Sequence, residues 1–153
     1  MILKALSKLL GLGTLLSTFG FIGATLIQIF ARFFLASAPS WTEEASRLFF
    51  IYAISFAAGL ALRDKYYVEL DVFYRKFSKK TKYIIDQLIQ LCTVLLFAIM
   101  GLYSLQYIQL GSIETSPSMK IPMSFAFVSI LIMSVTIVVY ALVEIKRLNK
   151  NRK

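Results

Sequence analysis

The sequence predicts an all-α integral membrane protein of four transmembrane helices, one domain over residues 1–153. A short amphipathic interfacial helix is expected in the linker between the second and third spans. Three observations lead there. Apolar residues make up 58% of the chain and charged residues 16%, against roughly 25% charged in a typical soluble domain. A chain this short keeps too much surface to hide so much apolar side chain from water. Uncharged stretches recur along it, most of them as long as the roughly 20 residues that cross a bilayer. Finally, lysine and arginine concentrate in alternate connections, the pattern of a multi-spanning protein with its basic loops inside.

The first span is expected at about 9–35, with no charge over 9–31. Lys4 and Lys8 precede it, and Ala36-Ser37-Ala38 resembles a signal-peptide cleavage box. The apolar run, however, outlasts the roughly 7–15 residues of a signal core, and Pro39 would follow the cut. The segment is therefore read as a retained helix. The second span is expected at 41–62. Its uncharged part, 48–62, is short, so Glu43, Glu44 and Arg47 must ride in its first turns. Glu43 and Arg47 stand at i, i+4 and Glu44 and Arg47 at i, i+3, spacings at which opposite charges meet on one helix face. Trp41 suits the headgroup level just before them.

In the linker, Tyr66, Leu70, Phe73 and Phe77 recur on one helical face, with Glu69, Arg75, Lys76 and Lys79 on others. This predicts the interfacial helix, at about 66–80. The alternative is that the second span simply continues as a longer tilted helix. The third span is expected at 84–110, with Asp86 at its start, where the helix dipole favours a negative charge. The fourth is expected at 121–143. Ser116-Pro117 and Ile121-Pro122 bracket a tight re-entry before it, and Pro122 fits a first helical turn.

The cations set the orientation. Lys4 and Lys8 precede the first span. Arg63, Lys65, Arg75, Lys76, Lys79, Lys80 and Lys82 lie between the second and third, and Lys146, Arg147, Lys150, Arg152 and Lys153 follow the fourth. Of the 17 basic residues only Arg32, Arg47 and Lys120 lie elsewhere. Both termini and the 63–82 linker are therefore expected in the cytoplasm. The same placement argues against nucleic acid as the partner of the +9 net charge and points to anionic lipid headgroups.

Chemistry is sparse. There is no histidine, and Cys92 is the single cysteine, so a thiol pair and the commonest metal ligand are both missing. The span interiors offer Thr93, Ser104, Ser124, Ser129, Ser134 and Thr136, residues that ordinarily bond back to their own helix. No enzyme site and no substrate pathway are apparent, and no cofactor is expected. The spans carry packing equipment instead. Ala53, Ala57 and Ala61, the pair Ser55 and Gly59, and Gly20, Gly23 and Ala24 form small-residue surfaces for close helix contact. At the outer ends, Arg32, Glu43, Glu44 and Arg47 are expected to gather into an ion-pair cluster pinning the first two helices.

Taken in order, several short stretches resemble the small membrane subunit, DctQ-like, of tripartite ATP-independent periplasmic (TRAP) transporters. They are Trp41-Thr42-Glu43-Glu44-Ala45-Ser46-Arg47, Gly59-Leu60-Ala61-Leu62-Arg63, Tyr67-Val68-Glu69-Leu70-Asp71, and the outer-loop pairs Ser116-Pro117 and Ile121-Pro122. The family commonly has histidine where this chain has Tyr67. The resemblance spans 20–144 and leans toward the sialic-acid type. It implies a large multi-span membrane subunit that moves an organic acid, sodium as the coupling ion on that partner, and a periplasmic substrate-binding protein. This chain would be a non-catalytic scaffold. Candidate partner-interface residues are then Arg32, Trp41, Glu43, Glu44, Arg47, Gly59, Arg63 and Asp71. Arg63, Lys65 and Arg75 are candidates to hold a membrane phospholipid. The rival readings are a small homodimeric multidrug or cation exporter, which needs a membrane-buried carboxylate that 9–31 lacks, and a small membrane enzyme.

Overall fold

A computed structural model describes residues 2–35, 39–64 and 77–150. It contains four helices: α1 (Ile2–Phe34), α2 (Trp41–Arg63), α3 (Lys79–Gly111) and α4 (Ser124–Lys150). All four are long and apolar enough to cross a membrane.

Three helices run beyond the expected spans. α1 starts at Ile2 rather than 9, α3 at Lys79 rather than 84, and α4 ends at Lys150 rather than 143. Hydropathy marks only the hydrocarbon crossing, whereas helical hydrogen bonding continues into the polar interface. A helix of 33 residues such as α1 or α3 extends about 50 Å, well past the roughly 30 Å hydrocarbon core. Basic residues at the end of α4, Arg147 and Lys150, also suit the negative pole of the helix. α3 opens on a true cap: Ser78 is extended (φ −65°, ψ 156°) and its side chain accepts from the Thr81 N–H. Of the expected interfacial helix at 66–80, residues 66–76 lie outside the described residues. Phe77 and Ser78 are not helical, and Lys79 and Lys80 already belong to α3. α4 starts later than expected because 121–123 are held in the preceding loop. There Thr115 and Pro122 form an isolated antiparallel bridge, which puts Pro122 ahead of the helix instead of in its first turn.

The helices stand in a row, in the spatial order α1, α2, α4, α3. Contacts fix their directions. Phe56 of α2 lies over Gly13 and Phe49 over Gly20, so α1 and α2 are antiparallel. α2 and α4 are parallel, since Tyr52 meets Phe125 and, further along both, Gly59 meets Thr136. α3 returns antiparallel to α4, with Gly101 at Ser134 and Gly111 at Phe127. α1 reaches α4 at one end, where the Ser7 and Tyr140 hydroxyls lie 2.9 Å apart.

Glycines make the seams close. A Cβ on Gly59 would lie 2.8 Å from Thr136 Cβ, and one on Gly20 or Gly13 would strike the rings of Phe49 or Phe56. Gly59 and Gly20 thus pack as the small-residue spacing implies. Gly23 does not: nothing lies within 4 Å of its Cβ position. Most of the buried set is small-sided or polar, including Ala24, Ala31, Ala45, Ala141, Ser55, Ser129 and Thr136, with Leu10 and Ile137 as its large apolar members. Large apolar side chains instead face outward along α1 and α3, as with Leu16, Phe19, Phe33, Leu88, Leu102 and Leu110. In water this would be an inverted protein; in lipid it is the expected arrangement.

Candidate functional site

The polar side chains of the described residues converge at two places, one at each end of the helix axes. At the first, Pro39 leads into α2. The Thr42 N–H and hydroxyl both donate to the Pro39 carbonyl, and Thr42 is wholly buried. Glu43 and Glu44 occupy the first turn of α2, where its free N–H groups favour negative charge. Glu43 pairs with Arg47 at 3.0 Å on the exposed side. Glu44 turns the other way, into the α3–α4 loop. Its Oε2 accepts from the Ser116 hydroxyl (2.8 Å) and the Met119 N–H (2.8 Å), and its Oε1 accepts from the Ser118 N–H (2.9 Å). Two successive backbone N–H groups aimed at one carboxylate form the kind of concavity that holds anions. The Ser118 hydroxyl adds a 2.6 Å bond to Ser40.

The loop is folded to meet that carboxylate. The Ser116 N–H donates to the Ile121 carbonyl (2.8 Å), the Lys120 N–H to the Ser116 carbonyl (3.2 Å), and the Met123 N–H to the Glu114 carbonyl (2.9 Å). Lys120 takes φ 58°, the left-handed region. A side-chain-bearing residue there costs of order 1–2 kcal/mol, so the surrounding bonds over-determine the loop.

The expected four-charge cluster is therefore corrected. Arg32 is exposed and makes no ion pair among the described residues, consistent with a long side chain reaching toward water. Arg47 pairs with Glu43, while the hydrogen bonds of Glu44 join α2 to the loop, not α2 to α1. The spacing of Glu44 and Arg47 permitted a pair, and Arg47 does attract the Glu44 carboxylate, but the hydrogen bonds of Glu44 go to two aimed amides and a hydroxyl. Ser116, Ser118 and Met119 were not singled out as partners. The available signal was Ser116-Pro117-Ser118, a short polar turn opposite a helix-start carboxylate. Trp41 is half-exposed at this end, as an interface anchor would be.

At the opposite end, Arg63 donates from Nε to Asp64 Oδ1 (2.7 Å) and from Nη2 to Asp64 Oδ2 (2.6 Å). This fork holds the Asp64 carboxyl below the usual carboxylate range. Tyr140, only 3% exposed, shares a hydrogen bond with the Ser7 hydroxyl and so ties α1 to α4. The Tyr83 hydroxyl and Gln87 Nε2 both donate to Asn149 Oδ1, closing α3 on α4. Lys65, Asp71 and Arg75 lie outside the described residues.

Between the two ends most hydroxyls bond locally, except that the Tyr52 hydroxyl of α2 donates to the Phe125 carbonyl of α4. Thr93 bonds to Ile89, Ser104 to Gly101, Ser129 to Ala126 and Thr136 to Ile132, each within its own helix. Ser134 Oγ and Gln90 Oε1 are buried without a partner among the described residues. No group of three potential metal ligands occurs among those residues.

A row of apolar helices with its polar work confined to the ends, and packing surfaces along its length, defines a multi-pass membrane protein built for helix contact. Comparison with known proteins gives the family. The model of the DctQ component of tripartite ATP-independent periplasmic transporters matches residues 21–151, and the chain belongs to this family. It is also similar to a protein of Haemophilus influenzae named as a TRAP transporter small permease. The two are 25% identical over 146 residues, covering 94% of this chain and 88% of that protein. The family's general role is as the small membrane component beside a large membrane subunit and a periplasmic binding protein.

Proposed function

We propose that this chain is the non-transporting scaffold subunit of a sodium-coupled importer of an organic acid in the bacterial inner membrane, with a sialic acid as the first substrate to test. One observation carries this reading. The span interiors hold no Asp, Glu, Lys, Arg or His over 9–31, 48–62, 87–111 and 124–143, and most of their serine and threonine hydroxyls are satisfied within their own helices. Substrate and coupling-ion pathways ordinarily carry such groups. Substrate and sodium therefore pass through the large partner, the periplasmic protein delivers the substrate, and the broad apolar faces of the row give the large partner something to stand on.

The gathering of basic residues at the Arg63 end supports a cytoplasmic placement of both termini and the 63–82 linker, with the Trp41 end in the periplasm. A phospholipid headgroup held by Arg63, Lys65 and Arg75 belongs to the same reading. Reconstituted vesicles test the role: without this subunit uptake is lost, while the periplasmic protein binds its ligand with unchanged affinity. Full uptake by the large subunit alone overturns it. With Cys92 replaced, single cysteines at Ser40 and Ser118 are labelled from outside spheroplasts and one at Ser78 is not; labelling at Ser78 reverses the orientation.

A further inference from the structure

An open groove of about 490 Å³ enters the protein where α2 meets the α3–α4 loop. That lies within the range of roughly 300–1,000 Å³ typical of small-molecule sites. Its lining changes along the helices. Glu43, Arg47 and the Glu44-held loop surround the end near Trp41, and Leu48, Ile51, Phe125 and Ala126 line it further into α2 and α4.

We propose that this groove binds one phospholipid of the leaflet at the Trp41 end, with a zwitterionic headgroup carrying a primary ammonium, of the phosphatidylethanolamine class. The phosphate accepts from Arg47, the ammonium donates to Glu43, and an acyl chain lies along Leu48, Ile51 and Phe125.

Position argues for an occupant with one apolar and one charged end. Half-exposed Trp41 marks the headgroup level beside the groove. Apolar walls below that level do not hold water. Charge selects the headgroup. Glu43 and Arg47 stand side by side at 3.0 Å, with side chains 64% and 72% exposed, so both are open to a ligand. A zwitterion can take both partners and leave neither charge alone. An anionic glycerol headgroup would bring only negative charge beside Glu43 and Glu44, and a choline headgroup has no N–H to give Glu43. The loop wall is already built, because the Glu44 carboxylate is committed to Ser116, Ser118 and Met119. A preformed wall lowers the ordering cost of binding. The site is at the opposite end of the helices from Arg63 and needs no assumption about the subunit's role.

The test uses the full chain purified with its transporter partners and examined by native mass spectrometry. Phosphatidylethanolamine should be retained in preference to phosphatidylglycerol. Arg47→Ala should lower that retention roughly tenfold, the scale of losing one charge-assisted hydrogen bond. Equal retention of the two lipids, or no change in Arg47→Ala, overturns the proposal. A photo-cross-linking residue in place of Phe125, half-exposed on the groove, gives an independent reading: an adduct with the mass of phosphatidylethanolamine supports the site, whereas an adduct to the large subunit, or no lipid adduct, sinks it.

Discussion

Adding one methyl group at Gly59 tests the row at its centre. The new Cβ would lie 2.8 Å from Thr136 Cβ and 2.9 Å from Thr136 Oγ1. Carbon atoms ordinarily sit about 3.5–4.0 Å apart, so α2 and α4 would have to separate by up to about 1 Å. A gap of that order forfeits a quarter to a half of each pairwise attraction across the seam. Thr136 cannot swing aside, because the atom struck is its branched Cβ beside the backbone, and its hydroxyl is bonded to Ile132. Overpacking costs about 1–3 kcal/mol, while Gly→Ala returns up to about 1 kcal/mol of helix propensity. Gly59→Ala should therefore lose up to about 2 kcal/mol. Gly23→Ala meets nothing within 4 Å and should gain stability from propensity alone. Trp41 is the single tryptophan and opens α2, so its fluorescence during detergent denaturation reports the loss of packing. Thr136→Gly added to Gly59→Ala should recover part of the loss by removing the struck atom. If Gly59→Ala proves as stabilising as Gly23→Ala, α2 and α4 do not meet there and the order of the row is wrong.

Further expectations follow from the two ends. Glu44→Ala should speed hydrogen exchange at the Ser118 and Met119 amides several-fold, with Glu44→Gln intermediate; unchanged exchange would show that the carboxylate does not hold the loop. Glu43→Ala should change stability by less than about 1 kcal/mol, because its pair with Arg47 is exposed on both sides; a larger loss in the same denaturation assay would mean that pair is buried. Tyr140→Phe should cost about 0.5–1.5 kcal/mol by removing the hydroxyl that bonds to Ser7, and a neutral result would remove the tie between α1 and α4.

The four crossings were legible because lipid imposes a length and a composition on every span, and both are written in residue order. The packing role of Gly59 was legible for a related reason: close approach needs a missing side chain, and Ser55 and Gly59 sit four apart on one face. The spatial order was not. Nothing in the residues says that α4 inserts between α2 and α3, since each helix carries apolar groups all round. The partner of Glu44 was hidden too. Helix spacing ranks Arg47 as its neighbour, and only the folded loop brings the amides of Ser118 and Met119, more than seventy positions away. Gly23 shows the opposite failure, a small residue at the right spacing that this chain leaves uncovered.

Standing in single file has a mechanical consequence. Each neighbouring pair of helices meets along one seam, so the described helices form a plate one helix thick. Such a plate resists shear along the helix axes, where glycine notches and rings interlock, and bends most readily about lines parallel to those axes. The hydroxyl tie at Tyr140 and the carboxylate latch at Glu44 sit at opposite edges and oppose that hinging. A body fastened to one broad side would gain a fin that spreads its load over a wide strip of bilayer and opposes tilting.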